Sequence, residues 1–379
     1  MAMLRQKIEK EISERGPIPF SRYMEMCLYD PELGYYSRNA EQFGKAGDFY
    51  TSSDVHAVFG RLIARQFGQM WRILDSPPQI KIVELGPGRG LFAQDVLDWS
   101  QKKFPDLFHA LHYVLVESSA ALRERMKQVL AQHVESGRVS LVDSQIDETN
   151  KNIPVILFAN EFFDALPVEI VSQQGSLRIG ARDGHFVETW VPTSAKELEF
   201  LDRYSVHPEP GERVEIPLAA QQMMERLAAS MPRGFLVAID YGYTRDEQLA
   251  GRHRGTLKAI RKHSVNGTPY EAPGEQDITA DVNFTALAAA CEKHGMATQK
   301  LITQSQFLLG IGEGNQFADA FEECRLPQER AKVALQLKHL VTPAGMGESF
   351  HVLIASKGVE EEKVARLEGL NFGRSATPR

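Results

Sequence analysis

The feature that most constrains this chain is the stretch KIVELGPGRG, residues 81–90, where three glycines and a proline follow a short apolar run. Glycines tolerate positive φ and let the backbone approach a ligand at van der Waals distance. A glycine-rich turn between a buried strand and a helix is where a nucleotide-like cofactor approaches an open α/β sheet. The stretch therefore predicts a cofactor-binding turn, with a tight structural turn as the alternative.

A strand–helix alternation surrounds this turn. The predicted strands are the short apolar runs IKIVEL, HYVLVE, RVSLV and PVILFAN, and helical stretches (LFAQDVLDWSQKKF, ALRERMKQVLAQH) follow the first two. Continuous apolar runs are typical of buried parallel strands, and helices between them imply a parallel sheet. The predicted fold class is therefore α/β, a Rossmann-like, mostly parallel sheet with helices on both faces.

The rest of the chain is predicted to add segments to this core. The TQSQFLLGIG and MGESFHVL stretches are expected to be terminal segments of the sheet, the second a closing strand. An antiparallel β-rich insertion is expected to support a dimer or to cover the active site. The predicted segments are a helical N-terminal region over the cofactor site (1–75, with a helix at 55–74), the core (76–167, 217–240 and 281–358), the β-rich insertion (168–216), a long loop or small subdomain (241–280) and a tail (359–379).

Composition, charge and cysteine positions argue against several classes of protein. The 379 residues are 43% hydrophobic and carry a net charge of -7, which argues against a mainly electrostatic nucleic-acid binder. No run of eighteen apolar residues appears, and the N-terminus has the character of neither a signal nor a transit peptide. Cys27, Cys291 and Cys324 are scattered, so a reduced, cytoplasmic protein is expected.

The glycine spacing and the preceding acid indicate which ligand the turn suits. Dinucleotide sites favour G-x-G-x-x-G, whereas Gly86, Gly88 and Gly90 are spaced G-x-G-x-G, with Glu84 two residues ahead. A carboxylate there would repel a pyrophosphate but suits an ammonium or a sulfonium group, and S-adenosylmethionine carries both. We therefore predict that these four residues bind that cofactor.

Acidic residues after the next two strands extend the predicted cofactor site. Glu117 follows HYVLV and can accept hydrogen bonds from both ribose hydroxyls, as in dinucleotide and methyl-donor sites alike. Its alternative role is to cap the helix that begins in ESSAALRER. Asp143, after the third strand, is a candidate for the adenine amino group, with a solvated loop acid as the alternative.

The stretch ANEFFDALPVE follows the fourth strand, at the edge where cofactor and acceptor must meet. The Asn160 carbonyl can accept a hydrogen bond from the methionine ammonium. Glu161 and Asp164 can clamp a cationic acceptor, because a guanidinium presents a planar fork of donors that carboxylates hold strongly. Glu161 and Asp164 are the predicted catalytic residues, with a turn-capping Asp164 as the alternative, and the Phe162–Phe163 pair is expected to fill the core.

Seven separate stretches carry a further pattern: SRYMEMCLYDPELGYY, FGKAGDFYTSSDV, ELGPGRG, NEFFDALPVE, PGEQDITADVNF, TQSQFLLGIG and MGESFHVL. Together they resemble the MidA family of class I methyltransferases, from about residue 17 to about residue 357. Ser53 and Asp54 stand where that pattern has Pro and Glu, and Asp54 keeps the charge.

The resemblance implies that S-adenosylmethionine lies over the glycine turn, with Glu117 at the ribose and S-adenosylhomocysteine as the product. It also implies that the loop 47–52 folds over the cofactor, so its Gly47, Asp48, Phe49 and Thr51 join the predicted cofactor-binding residues. Mitochondrial members are similar to protein arginine methyltransferases that assist assembly of respiratory complex I. A protein acceptor like a subunit of the respiratory NADH dehydrogenase is therefore expected, and a homodimer is a further expectation.

Alternative functions stay open at this point. A small-molecule methyltransferase, a dinucleotide-dependent oxidoreductase and an assembly module that retains a cofactor pocket would share much of the same pattern. No metal site is expected, since the histidines at 251–263 lack metal-ligand spacing. His56 and His351 are expected to be structural or surface residues.

Overall fold

The computed structural model describes residues 2–38, 57–143, 152–261, 264–266 and 268–373. In chain order the strands are β1 (Ile18–Pro19), β2 (Ile80–Leu85), β3 (Leu111–Val116), β4 (Val139–Val142), β5 (Val155–Asn160), β6 (Glu169–Ser172), β7 (Gly175–Arg182), β8 (His185–Val191), β9 (Val214–Ile216), β10 (Gly234–Tyr243), β11 (Lys258–Arg261), β12 (Ser264–Asn266), β13 (Asp277–Thr279), β14 (Val282–Asn283), β15 (Ala297–Thr298), β16 (Ile302–Thr303) and β17 (Phe350–Lys357).

The helices of the described residues are mostly short. In chain order they are α1 (Ala2–Arg15), α2 (Phe20–Tyr29), α3 (Tyr35–Arg38), α4 (Ala57–Ile73), α5 (Leu91–Lys103), α6 (Pro105–Ala110), α7 (Ala120–Val129), α8 (Ala131–Glu135), α9 (Ala195–Tyr204), α10 (Leu218–Ser230), α11 (Arg245–Leu249), α12 (Phe284–Lys293), α13 (Gln304–Glu313), α14 (Ala318–Phe321), α15 (Pro327–Val341) and α16 (Glu361–Val364). Among these, no helix has both the length and the apolar character needed to cross a membrane.

The main sheet orders its strands β15-β17-β10-β5-β2-β3-β4. The four apolar runs that begin the predicted alternation form β2 to β5. These strands and β10 pair in parallel, whereas β15 and β16 pair antiparallel with β17. The predicted α/β class with a mostly parallel sheet is therefore confirmed, and MGESFHVL leads into the predicted closing strand.

The TQSQFLLGIG stretch differs from its prediction as a terminal sheet segment. Only Thr303 belongs to a strand, β16, and the following residues form α13. The Thr303 hydroxyl accepts the Gln306 backbone N–H at 3.2 Å, and the Gln306 side chain accepts the Thr303 N–H at 3.1 Å. This reciprocal capping box starts a helix, and Phe307 and Ile311, four residues apart, are both buried on it. The prediction of a terminal sheet segment therefore holds for Thr303 and is wrong for the residues that form α13.

The chain divides into two compact units. The first comprises Phe162–Arg226, Tyr241–Ala290 and the described part of Met1–Phe49, and the second comprises Leu227–Asp240, Cys291–Arg379 and Tyr50–Glu161, over their described residues. These units divide the chain differently from the predicted segments, because α1 to α3 and α4 fall in different units although both lie within residues 1–75.

The first unit joins the N-terminal helices to the antiparallel insertion. β6, β7 and β8 pair antiparallel through turns at Gly175 and at Asp183–Gly184, as predicted. Leu177 and Ile179 on β7 pack in one core with Phe20 and Tyr23 on α2. Burying such apolar side chains is the main stabilising term, at about 1.5–3 kcal/mol each. These buried apolar residues of the insertion therefore pack within the first unit.

The region 241–280 also contains regular structure in its described residues. α11 begins with a capping box between Thr244 and Glu247. β11 pairs antiparallel with β12 and with β13, which gives a small sheet in the order β12-β11-β13. Of the two predicted alternatives, the structure has the small folded segment rather than a long loop.

The core of the second unit packs α4 and α5 against the main sheet. The Phe158 ring on β5 stacks on Phe92 of α5, with ring centroids 4.6 Å apart, and meets Phe67 of α4 edge-on at 5.6 Å. All three side chains are buried. This contact holds the start of α5 beside the carboxyl ends of the parallel strands, where the predicted cofactor residues lie.

Candidate functional site

The carboxyl ends of four neighbouring parallel strands bring the predicted cofactor residues together. Leu85 on β2 is in register with Val116 on β3 and with Ala159 on β5, and Val116 is in register with Val142 on β4. The next residues along these strands (Gly86, Glu117, Asp143 and Asn160) therefore share one edge of the sheet. The Gly86 N–H donates to the Val116 carbonyl at 3.1 Å, which ties the glycine turn to β3.

The glycine turn follows β2 directly and ends at the start of α5. Gly86, Gly88 and Gly90 have φ values of 62°, 55° and 77°, in the left-handed region that glycine adopts without strain. A Cβ on Gly88 would meet no described atom within 4 Å, whereas one on Gly90 would lie 3.0 Å from Cγ of Met126. Gly90 is thus needed for packing as well as for backbone geometry, and Gly88 leaves space above the turn.

Glu84 lies inside the sheet beneath this turn. Its side chain is buried, and Oε2 accepts a hydrogen bond from the Tyr113 hydroxyl at 2.9 Å. Burial raises the pKa of Glu84 to about 8, while the Tyr113 bond acts in the opposite direction. The carboxyl is therefore mostly protonated at neutral pH. The predicted role of Glu84 beside a cationic ligand therefore requires that the positive charge of the ligand lowers the pKa of Glu84 and ionises it.

Glu117 follows β3 at the same edge and is buried. Its Oε1 accepts the Ser119 backbone N–H at 2.8 Å, and burial raises its pKa. The N-cap of α7 is Ser119, whose hydroxyl accepts the Leu122 N–H at 3.4 Å. The alternative in which Glu117 caps this helix is therefore wrong, and the assignment of Glu117 to the ribose stays a prediction.

Asp143 and Asn160 occupy the ends of β4 and β5. The Glu117 N–H donates to the Val142 carbonyl at 3.0 Å, which brings Asp143 next to Glu117, and the Asp143 side chain is exposed. Nδ2 of Asn160 donates to Oε1 of Glu161 at 3.2 Å. This bond fixes the orientation of the amide and is compatible with the predicted acceptor role of its oxygen.

Glu161 has a backbone conformation that its sequence did not reveal. Its φ is 50°, and its N–H donates to the Ile239 carbonyl on β10 at 2.9 Å. A non-glycine residue in the left-handed region costs about 1–2 kcal/mol. Such strain clusters at functional sites, which is an independent reason to single out this residue.

Asp164 belongs to the first unit and is buried there. Its Oδ2 accepts hydrogen bonds from the Tyr241 hydroxyl at 2.5 Å and from the Thr279 hydroxyl at 2.9 Å. Burial raises the pKa of Asp164, and these two hydrogen bonds oppose that shift. Nearby, the Tyr36 hydroxyl donates to Oδ1 of buried Asp277 at 3.0 Å.

Sequence reasoning did not select Tyr36, Tyr241, Asp277 or Thr279. Tyr36, Asp277 and Thr279 nevertheless lie in stretches quoted for the family resemblance, YDPELGYY and PGEQDITADVNF. Those stretches therefore contained a usable indication of this cluster. Tyr241 lies near the end of β10 and had none.

Other predicted residues have simpler outcomes. Phe163 is buried as expected, whereas Phe162 is only half-buried, and the two rings meet edge-on with centroids 5.2 Å apart. The loop residues Gly47, Asp48, Phe49 and Thr51, together with His56, lie outside the described residues. Within the described residues no group of three His, Cys, Asp or Glu side chains could hold a metal ion.

Comparisons with known proteins bear on this edge of the sheet. A family model described as S-adenosyl-L-methionine-dependent methyltransferase matches residues 62–302. The mitochondrial protein arginine methyltransferase NDUFAF7 homolog of Drosophila melanogaster is 28% identical, over 94% of this chain and 85% of that protein. The Mus musculus protein arginine methyltransferase NDUFAF7 is 29% identical, over 92% of this chain and 83% of that protein.

Solved structures agree with these sequence matches. A COG1565 superfamily member from Burkholderia thailandensis, bound to S-adenosyl-homocysteine, has a TM-score of 0.82 and 29% identity, covering 96% of this chain and 94% of that chain. A native structure from the same organism has a TM-score of 0.79 and 28% identity, with coverage of 98% and 94%. These findings confirm the class I methyltransferase fold and favour the methyl donor over a dinucleotide. The lack of any described atom within 4 Å of a Cβ on Gly88 and the acids at the strand ends fit that cofactor.

Proposed function

This chain belongs to a family of S-adenosyl-L-methionine-dependent methyltransferases, and we propose that it methylates an arginine side chain of a protein. The observation that carries the proposal is the strained Glu161, which follows β5 at the carboxyl edge of the cofactor strands. The names of the fruit fly and mouse relatives, both protein arginine methyltransferases, support it further. A small-molecule acceptor and a non-catalytic assembly role are the alternatives.

The proposed reaction needs little covalent chemistry from the protein's own side chains. When bound, S-adenosyl-L-methionine supplies a methyl group that its sulfonium already activates. A guanidinium nitrogen of the acceptor gains the methyl group, S-adenosylhomocysteine is the other product, and the nitrogen releases one proton. The protein's task is therefore to align that nitrogen and to keep water away from it.

Glu161 and Asp164 carry this task in the proposal. Each carboxylate accepts N–H bonds from the guanidinium, which favours the charge distribution with the lone pair on the attacking nitrogen. Because Asn160 donates to Oε1 of Glu161, the Glu161 side chain is already oriented before the acceptor arrives. This preorganisation lowers the entropy cost of alignment.

A methyl-labelling experiment tests the proposal. Lysate from cells that lack this protein is incubated with the purified chain and S-adenosylmethionine labelled in its methyl group, and labelled proteins are identified by mass spectrometry. We expect labelled arginine with the wild type and loss of label with Glu161→Gln at unchanged S-adenosylhomocysteine affinity. Glu313→Gln, an exposed change of the same kind on α13, serves as the matched control.

Two results would contradict parts of this proposal. Label found only in small molecules would exclude the arginine acceptor while leaving the methyltransferase family unaffected. Labelled arginine that persists with Glu161→Gln at full cofactor affinity would remove Glu161 from its role.

Three further expectations belong to the same proposal. The resemblance to the MidA family suggests a subunit of the respiratory NADH dehydrogenase as acceptor, which the mass spectrometry would identify. The relatives are named mitochondrial, whereas we propose a reduced cytoplasmic location here, supported by three free cysteines and testable by cell fractionation. A homodimer is proposed as well, and light scattering of the purified chain would measure it.

A further inference from the structure

The PGEQDITADVNF stretch, residues 273–284, has a specific relationship to Asp164. Thr279 on β13 donates its hydroxyl to Oδ2 of Asp164 at 2.9 Å, and the next residue, Ala280, donates its N–H to the Asp164 carbonyl at 3.1 Å. The side chain and the main chain of Asp164 are thus both held by two consecutive residues. Tyr241 on β10 places a second hydroxyl at Oδ2 at 2.5 Å, and the Tyr241 and Thr279 hydroxyls also contact each other, so the two groups and the carboxylate form one hydrogen-bonded cluster.

Two further phenol hydroxyls lie close to Asp164 in the first unit. Tyr36 on α3 donates to Asp277 at 3.0 Å; burial raises the pKa of Tyr36, and the charges of Asp277 and Asp164 add to that shift. The Tyr29 hydroxyl on α2 donates to the Ala165 carbonyl at 3.0 Å.

A cation also lies over the Tyr241 ring. Nζ of Lys258 on β11 lies 5.2 Å from the ring centroid and 3.1 Å from Oδ1 of Asp281. Among the described residues, the groups that interact with Asp164 thus include the hydroxyls of Tyr241 and Thr279 and, through its charge, Tyr36, while Asp277 bonds to Tyr36 and Lys258 lies over the Tyr241 ring.

We propose that Tyr241 and Thr279 are positioning residues that hold the Asp164 carboxylate in one orientation, ready for a cationic methyl acceptor. The inference rests on the proposed function, since it gives Asp164 an acceptor to meet. It also assigns a role to the PGEQDITADVNF stretch, which contains none of the predicted cofactor-binding residues.

The physical reason lies in the opposing effects on a buried acid. Removing a carboxylate from water favours its neutral form, and hydrogen bonds donated to the carboxylate favour the charged form. A neutral carboxyl would neither attract a guanidinium nor accept two N–H bonds from it. Two hydroxyls on the same oxygen therefore secure both the charge and the rotation of the group.

A titration that needs no acceptor tests the positioning directly. The carboxyl carbons of the aspartates are labelled with ¹³C, and the Asp164 resonance is assigned by its loss in Asp164→Asn. We expect the pKa of Asp164 to rise by about one unit in Tyr241→Phe and in Thr279→Val, each of which removes one donor. Thr279→Ser keeps the hydroxyl and should restore the wild-type value.

Tyr243→Phe is the matched control for Tyr241→Phe. It makes the same chemical change two residues along β10, where the hydroxyl is bonded to Gln248 rather than to Asp164. We expect it to leave the pKa of Asp164 unchanged. All variants are first checked for wild-type affinity for S-adenosylhomocysteine, which shows that the cofactor site is folded.

Methyl transfer to lysate protein across a pH series supplies the functional readout. If Asp164 must be charged, its raised pKa in Tyr241→Phe moves the acid limb of the rate profile upward by about one pH unit. The variant is then about tenfold slower on the acid side and close to wild type at alkaline pH. A structural defect would instead lower the rate by the same factor at every pH.

The outcomes separate this inference from the proposed function. An Asp164 pKa that is the same in Tyr241→Phe, Thr279→Val and wild type overturns the inference even if protein arginine is labelled. If the wild type labels no protein arginine, the proposed function fails together with the acceptor part of the inference. The titration then still decides whether the two hydroxyls hold the carboxylate.

Discussion

The Tyr113 hydroxyl on β3 donates a 2.9 Å hydrogen bond to Oε2 of Glu84 on β2, and both side chains are buried within the main sheet. Glu84 is the penultimate residue of β2, two residues before Gly86, and Tyr113 on β3 is in register with Ile82. An acid whose pKa is raised to about 8 at this position affects both the stability of the fold and the binding of the cofactor.

The stability of the protein is predicted to depend on the ionisation of Glu84. Its pKa is raised from 4.5 to about 8, so the folded state holds a proton that the unfolded chain releases above pH 4.5. The stabilisation is fully present below pH 4.5 and is lost as the pH rises to about 8, at about 1.4 kcal/mol for each pH unit. Glu84→Gln should therefore be more stable than wild type at pH 8, and the difference should shrink toward pH 5. Chemical unfolding at both pH values measures this, and a gap that does not change with pH would contradict it.

Cofactor binding is predicted to release a proton from Glu84. A cation close to the carboxyl favours its charged form, so S-adenosylmethionine should expel up to one proton at pH 7. Calorimetry in two buffers of different ionisation enthalpy measures that number, and Glu84→Gln should lower it to near zero. Adenosine, which lacks both cationic groups, is the control ligand. Equal proton release for wild type and Glu84→Gln would exclude Glu84 from the cation's surroundings.

Alanine at Gly88 and at Gly90 is predicted to have different effects. Both substitutions place a side chain at positive φ, at a cost of about 1–2 kcal/mol. Gly90→Ala also presses on Met126 and should lose more stability. The methyl of Gly88→Ala would meet no described atom within 4 Å and would instead enter the space that the cofactor is predicted to fill. The variant should therefore lose about tenfold or more in S-adenosylhomocysteine affinity, with the smaller stability change. Thermal unfolding and calorimetry on the two variants check this order, and the reverse order would contradict it.

The strain at Glu161 is predicted to invert the usual ranking of alanine and glycine. Both Glu161→Ala and Glu161→Gly remove the bond from Asn160, so their comparison isolates the backbone. With φ at 50°, the glycine variant should be more stable than the alanine variant by about 1 kcal/mol. Both should lose methyl transfer. Denaturant unfolding measures the difference, and an alanine variant that is equally stable would show that the backbone relaxes.

The sequence was sufficient to predict the sheet and the residues at its edge. The apolar runs defined β2 to β5, and parallel pairing then required Gly86, Glu117, Asp143 and Asn160 to lie together. Short-range patterns were less reliable. Thr303 and Gln306 carried a capping-box signature that identifies α13, and Ser119 rather than Glu117 caps α7, because the cap is decided by where the helix begins.

Hydrogen bonds between side chains that are distant along the chain could not be predicted from the sequence alone. Tyr113 and Glu84 are separated by 29 positions, and Tyr241 and Asp164 by 77. Their meeting depends on the register of strands and on the folding of an inserted segment. The φ of Glu161 could not be predicted either, since it depends on the hydrogen bond from the Glu161 N–H to β10 and not on the residue type.

The position of β17 has a consequence for how the protein is made. This strand is late in the chain, yet it lies between β15 and β10 in the main sheet, and Val352 to Ala355 are buried there. Until it is synthesised, the emerging polypeptide presents an unpaired, apolar margin of β10 to its surroundings, and such margins invite association with other chains. A stop before residue 350 should therefore yield insoluble material instead of a weaker enzyme, and chaperones would be needed most until residues 350–357 have been synthesised.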